Sequence, residues 1–383
     1  MTGPTHSGLR LAILLAAPFP APQGSQRFVA EQARALEAAG CQVTLLTYAS
    51  GDGRTASDLT RVTAPRVLSP ARLRSGFHIG QPVADLGLLT ALTATQRRQP
   101  FDAVLAHNAE AALVALGARA LTGVPVVYVA HTLWEEELAS YLSPRFEAPA
   151  RRAGAALDRW LGVRADAVLA LSEAARLRLG QGRHDEIACI APGLASEPIP
   201  EDEEIREVCA RHELGRDAFV LYPGNLDGYQ NLPLLDRAAQ HFRAGPVVAV
   251  THDRRGPRLP HLRVVEAGLA EARALLFAAR IVVVPRRARG GFPIKILQAM
   301  EAERPIVALR GIADTLQHDE SAWLLPAAVD GRSLAQVLEA LWRDPARRAR
   351  LGAGAAQVLA KQHRWQDVAA ATLELTRRAR ARR

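Results

Sequence analysis

Two adjacent glycines, Gly290 and Gly291, separate an apolar run from a helical one in ARIVVVPRRARGGFPIKILQAM. Glycine reaches backbone angles closed to other residues and leaves room for a ligand against the main chain. Phe292 follows, and Pro293 suits the first turn of a helix, where its missing N–H costs nothing. The free N–H groups and positive end of that helix make a site for an anion. Lys295 and Gln298 are three apart and share one face, while Ile294, Leu297 and Met300 turn towards the core. A lysine in the first turn opposes the helix dipole, and a bound phosphate would offset that cost. Taken alone, the stretch also fits a routine turn with an exposed lysine.

A second set of chemical groups lies in LAHNAEAALVALGARALTGVPVVYVAHTLWEEEL. His107-Asn108 ends one apolar run and His131-Thr132 ends the next. On successive parallel strands the two imidazoles would reach the same sheet edge, where open parallel sheets bind ligands. The ordinary alternative for either is a strand-end histidine bonded to backbone. Glu110 follows His107 by three residues, and His107, Asn108 and Glu110 are candidates for binding an acceptor. Gly24 and Ser25 stand between the first apolar run and the first helical pattern, and Arg27 lies in the first helical turn, facing an acidic ligand or solvent. No metal site is expected. Cys41, Cys189 and Cys209 include no CxxC pair, acids are not clustered as Mg²⁺ requires, and His318 to Glu320 read as a solvated turn.

The elements that must position these groups alternate from end to end. LRLAILLAAP is a buried strand, QRFVAEQARALEAAG a helix and CQVTLLTY the next strand, which is a βαβ unit and implies a parallel sheet. FDAVLAHN, VPVVYVAHT and ADAVLALS continue the series, and Ser172 caps a following helix. After the acidic connector EPIPEDEEIREVCARHELG a second series begins at FVLYPGN and runs through PVVAVTHD, LRVVEAG, ARIVVVPR and RPIVALRG. The fold class is therefore α/β, with two Rossmann-like doubly wound domains facing across a cleft. The expected boundaries are 1–197, 198–362 and a C-terminal helix, 363–383, that crosses back to the first domain. Its basic end, TRRARARR, reads as a frayed, solvated tail.

At 383 residues, 49% hydrophobic, the chain can build two cores. A net charge of +9 suits a phosphorylated substrate, an anionic membrane surface or nucleic acid, or merely a basic surface. Interleaved aromatics are lacking, which argues against nucleic acid. LRLAILLAAPFPAP ends in Pro-Phe-Pro rather than at a small-residue cleavage site, and no run reaches a membrane span, so a cytoplasmic location is expected. Peripheral contact with the inner face of the plasma membrane stays open, with SPARLRSGFHIG as one candidate segment.

With these motifs, nearly the whole chain resembles glycosyltransferase family 4, which has the GT-B fold. GGFPIKILQAM resembles the donor-binding motif of a subgroup of that family. The family usually has two glutamates there, at the places of Gly290 and Gln298. YPGNLDGYQNLPLLDRAA resembles the start of the donor domain, where an Arg and a Lys usually reach the diphosphate; here Asn225 and Gln230 stand in their places, after Gly224. The resemblance implies a nucleotide-sugar pocket in which backbone N–H groups from Gly290 to Ile294 meet diphosphate and sugar, Lys295 adds charge and Gln298 holds the ribose. It implies a donor-sugar contact and transition-state role for His131, and a phosphate or acceptor loop at Gly24, Ser25 and Arg27. The expected activity is retaining, metal-independent transfer of a hexose from a nucleotide-diphosphate donor to a glycan or lipid-linked acceptor. The expected context is cell-surface polysaccharide or glycolipid assembly, with no cofactor beyond the sugar nucleotide as substrate. A degenerate protein that binds a glycan or partner, and a sugar-nucleotide epimerase, are the alternatives left by the missing glutamates.

Overall fold

The computed structural model describes residues 8–19, 24–49, 58–68, 80–140, 144–180, 187–195 and 197–383. Residues 69–79 of SPARLRSGFHIG lie outside the described residues. Contacts divide the chain into two units: Met1–Gly193 with Gly290–Phe292 and Trp365–Arg383, and Leu194–Arg289 with Pro293–Arg364. The breaks at 193/194 and 364/365 differ by a few residues from the 197/198 and 362/363 read from sequence.

The first unit holds β1 (Arg10–Leu15), α1 (Gly24–Ala38), β2 (Gln42–Thr47), β3 (Arg61–Thr63), α2 (Gln81–Arg98), β4 (Ala103–His107), α3 (Asn108–Thr122), β5 (Val126–Ala130), α4 (Trp134–Ser140), α5 (Pro144–Arg164), β6 (Ala167–Ala170), α6 (Glu173–Leu179) and β7 (Ile187–Cys189). Its sheet is parallel in the order β3-β2-β1-β4-β5-β6-β7. The central strands β4 and β5 are buried along their whole length, as a sheet covered on both faces requires. Ser172 caps α6 by accepting from the Ala175 N–H at 3.2 Å.

The second unit repeats the plan with α7 (Asp202–Arg211), β8 (Val220–Pro223), α8 (Leu232–His241), β9 (Val247–Thr251), β10 (Arg263–Glu266), α9 (Leu269–Ala278), β11 (Ile281–Val284), α10 (Ile294–Glu301), β12 (Ile306–Leu309), β13 (Trp323–Leu325), α11 (Gly331–Arg343) and α12 (Pro345–Gln362). Its parallel sheet runs β10-β9-β8-β11-β12-β13. In both sheets the strand order reverses beside the first strand, and the crevice at the carboxyl ends of such a reversal is where doubly wound folds bind ligands.

The last helix, α13 (Trp365–Ala381), belongs to the first unit, where it packs on α1 and β6. Val368 and Leu373 are buried, and the Gln32 amide donates to the Thr372 hydroxyl at 3.0 Å. The basic end is exposed, as expected, but it is not frayed. It stays helical to Ala381, Arg380 pairs with Asp102 at 2.9 Å, and Arg383 pairs with Asp166 at 3.0 Å. Carboxylates just before β4 and β6 give those arginines fixed partners, which repetition of charge along the chain does not reveal.

Candidate active site

In the second unit the carboxyl end of β8 leads into Gly224, whose φ of +136° is open to glycine and strained for other residues. That turn brings the main chain against the Lys295 side chain on α10: a Cβ on Gly224 would sit 2.5 Å from Nζ. Nζ donates to the Tyr222 hydroxyl at 2.7 Å and to Gln230 Oε1 at 3.1 Å, and lies 4.2 Å from the Tyr222 ring centre. The network continues outwards. Gln230 Nε2 donates to Asn225 Oδ1 at 2.7 Å, Asn225 Nδ2 donates to Asp227 at 2.5 Å, and the Tyr222 hydroxyl donates to the Asn225 carbonyl at 2.7 Å.

Arg286, 6% exposed, lies 5.4 Å from the centre of the Tyr229 ring, with Nε bonded to the Ala288 carbonyl. Burial, then repulsion by Arg286, pushes the Lys295 pKa well below that of an ordinary lysine, and Asp227 only partly opposes them. Burial also raises the Asp227 carboxyl, against the pull of Lys295. The structure brings Lys295 from α10 onto Gln230 itself and Arg286 onto the neighbouring tyrosine.

Two details of the opening stretch differ from expectation. Pro293 is the residue before α10 rather than in its first turn, and Ile294 is only half-buried. The buried side is Ile296, Leu297, Ala299 and Met300, so Leu297 and Met300 face the core as expected while Ile294 gives way to Ile296. Lys295 and Gln298 are both half-buried, on the other side. Gly290 to Phe292 group with the first unit, where the Gly290 N–H donates to the Glu136 carboxylate at 2.8 Å. That amide is therefore engaged rather than open to an anion.

In the first unit, β4 and β5 pair in register and carry His107 and His131 to adjacent tips. His107 Nδ1 and His131 Nε2 are 2.8 Å apart and share a hydrogen bond. Phe28 of α1 packs edge-on against His131, with Trp365 of α13 on the same phenylalanine. Burial lowers the His107 pKa well below the ordinary value and takes His131 down to about 3, so both rings are neutral near pH 7. Nδ1 is then the nitrogen His131 has left for another partner. Among the described residues, His107 Nε2, Asn108 Oδ1 and the Tyr128 hydroxyl are buried without a hydrogen-bond partner. Asn108 takes φ +70° at the β4–α3 junction.

Burial raises Glu110 to about 7, with smaller contributions from Glu137 and Asp85. Asp85 accepts from the Tyr48 hydroxyl, and Glu137 accepts from the Thr132 hydroxyl at 2.5 Å. Gly24 is exposed, Ser25 Oγ donates to Gln26, and Arg27 is half-buried in the first turn of α1.

Tyr222, Asp227, Tyr48, Asp85 and Glu137 join these groups without having been singled out by sequence. Tyr222 is the last residue but one of β8, two before Gly224, a position that could have marked it. Asp85 sits on α2, far from any motif, and carries no such signal. Among the described residues no group of three or more His, Cys, Asp or Glu side chains is arranged to hold a metal ion, and no helix is long and apolar enough to cross a membrane.

Residues 22–198 match the family model described as Glycosyltransferase Family 4, and residues 219–344 match that of Glycosyl transferases group 1. No curated protein matches in sequence. Sucrose-phosphate synthase from Thermosynechococcus elongatus superposes with a TM-score of 0.81 at 17% identity, covering 98% of this chain and 100% of that one. Anabaena HepE in complex with UDP-glucose gives 0.73 at 17% identity, over 96% of this chain and 100% of that one. WaaG, a glycosyltransferase involved in lipopolysaccharide biosynthesis, gives 0.69 at 16% identity, over 96% of this chain and 99% of its own. At such identities the likeness speaks to the fold. Family matches and fold agree: the chain has the GT-B fold, its first half matching the family 4 model and its second half the group 1 model.

Proposed function

We propose that the protein transfers a hexose from a nucleotide-diphosphate donor to an acceptor hydroxyl with retention at the anomeric carbon. The observation that carries this reading is the position of Lys295, whose ammonium rests on Gln230 and Tyr222 beside Gly224, with Arg286 on Tyr229. Two cations thus meet the roughly two charges of a diphosphate from positions other than the usual ones, and no metal is required for that neutralisation. Gln298 on the same helix face serves the ribose hydroxyls. His131, neutral, offers hydrogen bonding to the sugar as charge develops, with His107 holding its ring. Glu110, Asn108, Ser25 and Arg27 serve the acceptor.

In the transfer, the bond from the anomeric carbon to the acceptor oxygen forms on the face that the diphosphate leaves. The carbon–phosphate oxygen bond breaks, and the acceptor's proton passes to the departing diphosphate. The protein contributes orientation and electrostatic stabilisation. A lipid-linked or glycan acceptor at the inner membrane face, in cell-surface polysaccharide or glycolipid assembly, fits the basic chain. The test is incubation with α-linked nucleotide sugars and lipid extracts, following nucleoside diphosphate release and the anomeric configuration of the product by NMR. An α-linked product supports the reading, and a β-linked product refutes retention. Donor conversion without an acceptor would identify an epimerase. A non-catalytic binder is the other competing reading, favoured by the engaged Gly290 amide; nucleotide-sugar binding with no turnover under any acceptor would establish it.

A further inference from the structure

We infer that the amino ends of β8, β11 and β12 form a second anion site in the second unit, fitted to the phosphoryl group of a small molecule. Its side chains stand where the chain enters the sheet. Asp217 lies just before β8, Arg280 just before β11 and Arg304 just before β12. These strands are neighbours in the order β8-β11-β12, which gathers the three side chains at one sheet edge. Arg348 reaches them from α12, and Trp342 from the last turn of α11.

The guanidinium groups are held in place by the protein itself. Arg304 donates through Nε to the Ala302 carbonyl at 2.8 Å and through Nη1 to that of Ala279 at 3.3 Å. Arg348 Nη1 donates to the Leu341 and Trp342 carbonyls at 2.8 and 2.6 Å. The Arg280 guanidinium lies 4.2 Å from the centre of the Trp342 ring. Among the described residues, the carboxylate paired with Arg280 and Arg348 is that of Asp217, at 3.3 and 4.0 Å, and Arg304 has no ion pair. Arg280 Nε is buried without a hydrogen-bond partner among those residues. The neighbouring Arg216 is taken by Asp202 at 2.7 Å.

Arginine keeps its proton in proteins, so these groups cannot escape burial by becoming neutral. Burial lowers the pKa of Arg304 and of Arg348; Asp217 opposes it in both, Arg216 and Arg280 add to it, and Glu303 and Asp344 contribute least. Three guanidinium groups around one carboxylate leave about two positive charges in partly desolvated surroundings, which is costly until an anion joins them. A phosphoryl group brings about two negative charges and oxygens suited to paired arginine contacts. Gly224 lies past the carboxyl end of β8, and Lys295 donates to Tyr222 near that end. An occupant of the amino ends is therefore not the donor, and the inference stands apart from the proposed transfer.

The test is titration of the full chain with inorganic phosphate and with glucose 6-phosphate, at an ionic strength fixed by sodium chloride, reading indole fluorescence and melting temperature. Wild type should show a saturable change in both, and the tighter probe tells free phosphate from a phosphorylated sugar. Trp342→Phe should lose the optical change and keep the thermal one. Lys295→Ala should respond as wild type does. Replacing Arg280 and Arg348 together by glutamine should weaken binding about a hundredfold. Asp217→Asn supplies a readout that poor folding cannot mimic. Asparagine suits φ +56° and removes the competing carboxylate, so affinity should rise about tenfold. A wild-type response no greater than that to chloride overturns the inference, as does a response lost in Lys295→Ala. Full affinity in the double glutamine variant, or no gain in Asp217→Asn, overturns it equally.

Discussion

Replacing Lys295 by methionine should abolish a proton uptake that accompanies nucleotide binding. In the free protein Lys295 Nζ donates to two neutral oxygens, Tyr222 at 2.7 Å and Gln230 at 3.1 Å, while burial and Arg286 oppose its protonation. A diphosphate would bring about two negative charges beside it. One charge at about 4 Å, in an effective dielectric near 20, is worth about 4 kcal/mol. That attraction favours the charged lysine, so nucleotide binding raises its pKa again. The free protein therefore holds Lys295 largely neutral in a range where the complex holds it charged, and binding takes up a proton. Raising the pH through that window weakens affinity by up to about tenfold per unit.

Titration calorimetry of the preferred nucleoside diphosphate, in mildly alkaline buffers of different ionisation heat, counts the protons. Wild type should approach one, and Lys295→Met should give none, with weaker binding. Folding gives a second readout of the same sign. The unfolded lysine keeps its proton where the folded one has lost it, so wild-type stability rises with pH across that interval, by up to about 1.4 kcal/mol per unit, and the methionine variant lacks the slope. Equal proton uptake by both proteins, or affinity that rises with pH, would refute the reasoning.

Three further outcomes are expected. His131→Ala should lower turnover about a hundredfold or more while nucleotide affinity stays within about twofold. Nitrogen NMR should find neither His107 nor His131 titrating near the ordinary value of 6.5; because folding depresses both, stability is kept above that value and lost as pH falls towards about 3. Glu110 is raised from 4.5 to about 7, so the native state favours its protonated form and that contribution is lost as pH rises through 7. Glu110→Gln should match wild type in denaturant melts near pH 5 and exceed it in alkali, by at most about 3 kcal/mol; no gain in alkali would contradict the burial argument. Gly224→Ala forces a Cβ at φ +136° to 2.5 Å from Lys295 Nζ. It should cost about 1–3 kcal/mol in thermal melts and remove nucleotide binding, and wild-type binding would show that Lys295 need not sit there.

Much of the fold was legible because its strands announce themselves. IVVV and VVYVA are apolar without alternation, which fits only a sheet covered on both faces. The pairing of Lys295 with Gln298 on one helix face followed from spacing, as did the convergence of the two histidines from strand ends in register. What stayed hidden depends on contacts between residues far apart in sequence. Tyr222 meets Lys295 across 73 positions. Asp85 meets Tyr48 through α2, which carries no motif. The C-terminal arginines looked frayed until Asp102 and Asp166 were found beside them.

The most direct measurement is a thermal-shift panel of UDP-, GDP- and ADP-sugars on wild type and Lys295→Ala. One base should give a clear rise in wild type, reflecting about 2.7 kcal/mol of stabilisation at a hundred times the dissociation constant, and Lys295→Ala should lose it. A flat wild-type panel, or a rise that Lys295→Ala retains in full, would contradict a donor site built on Lys295.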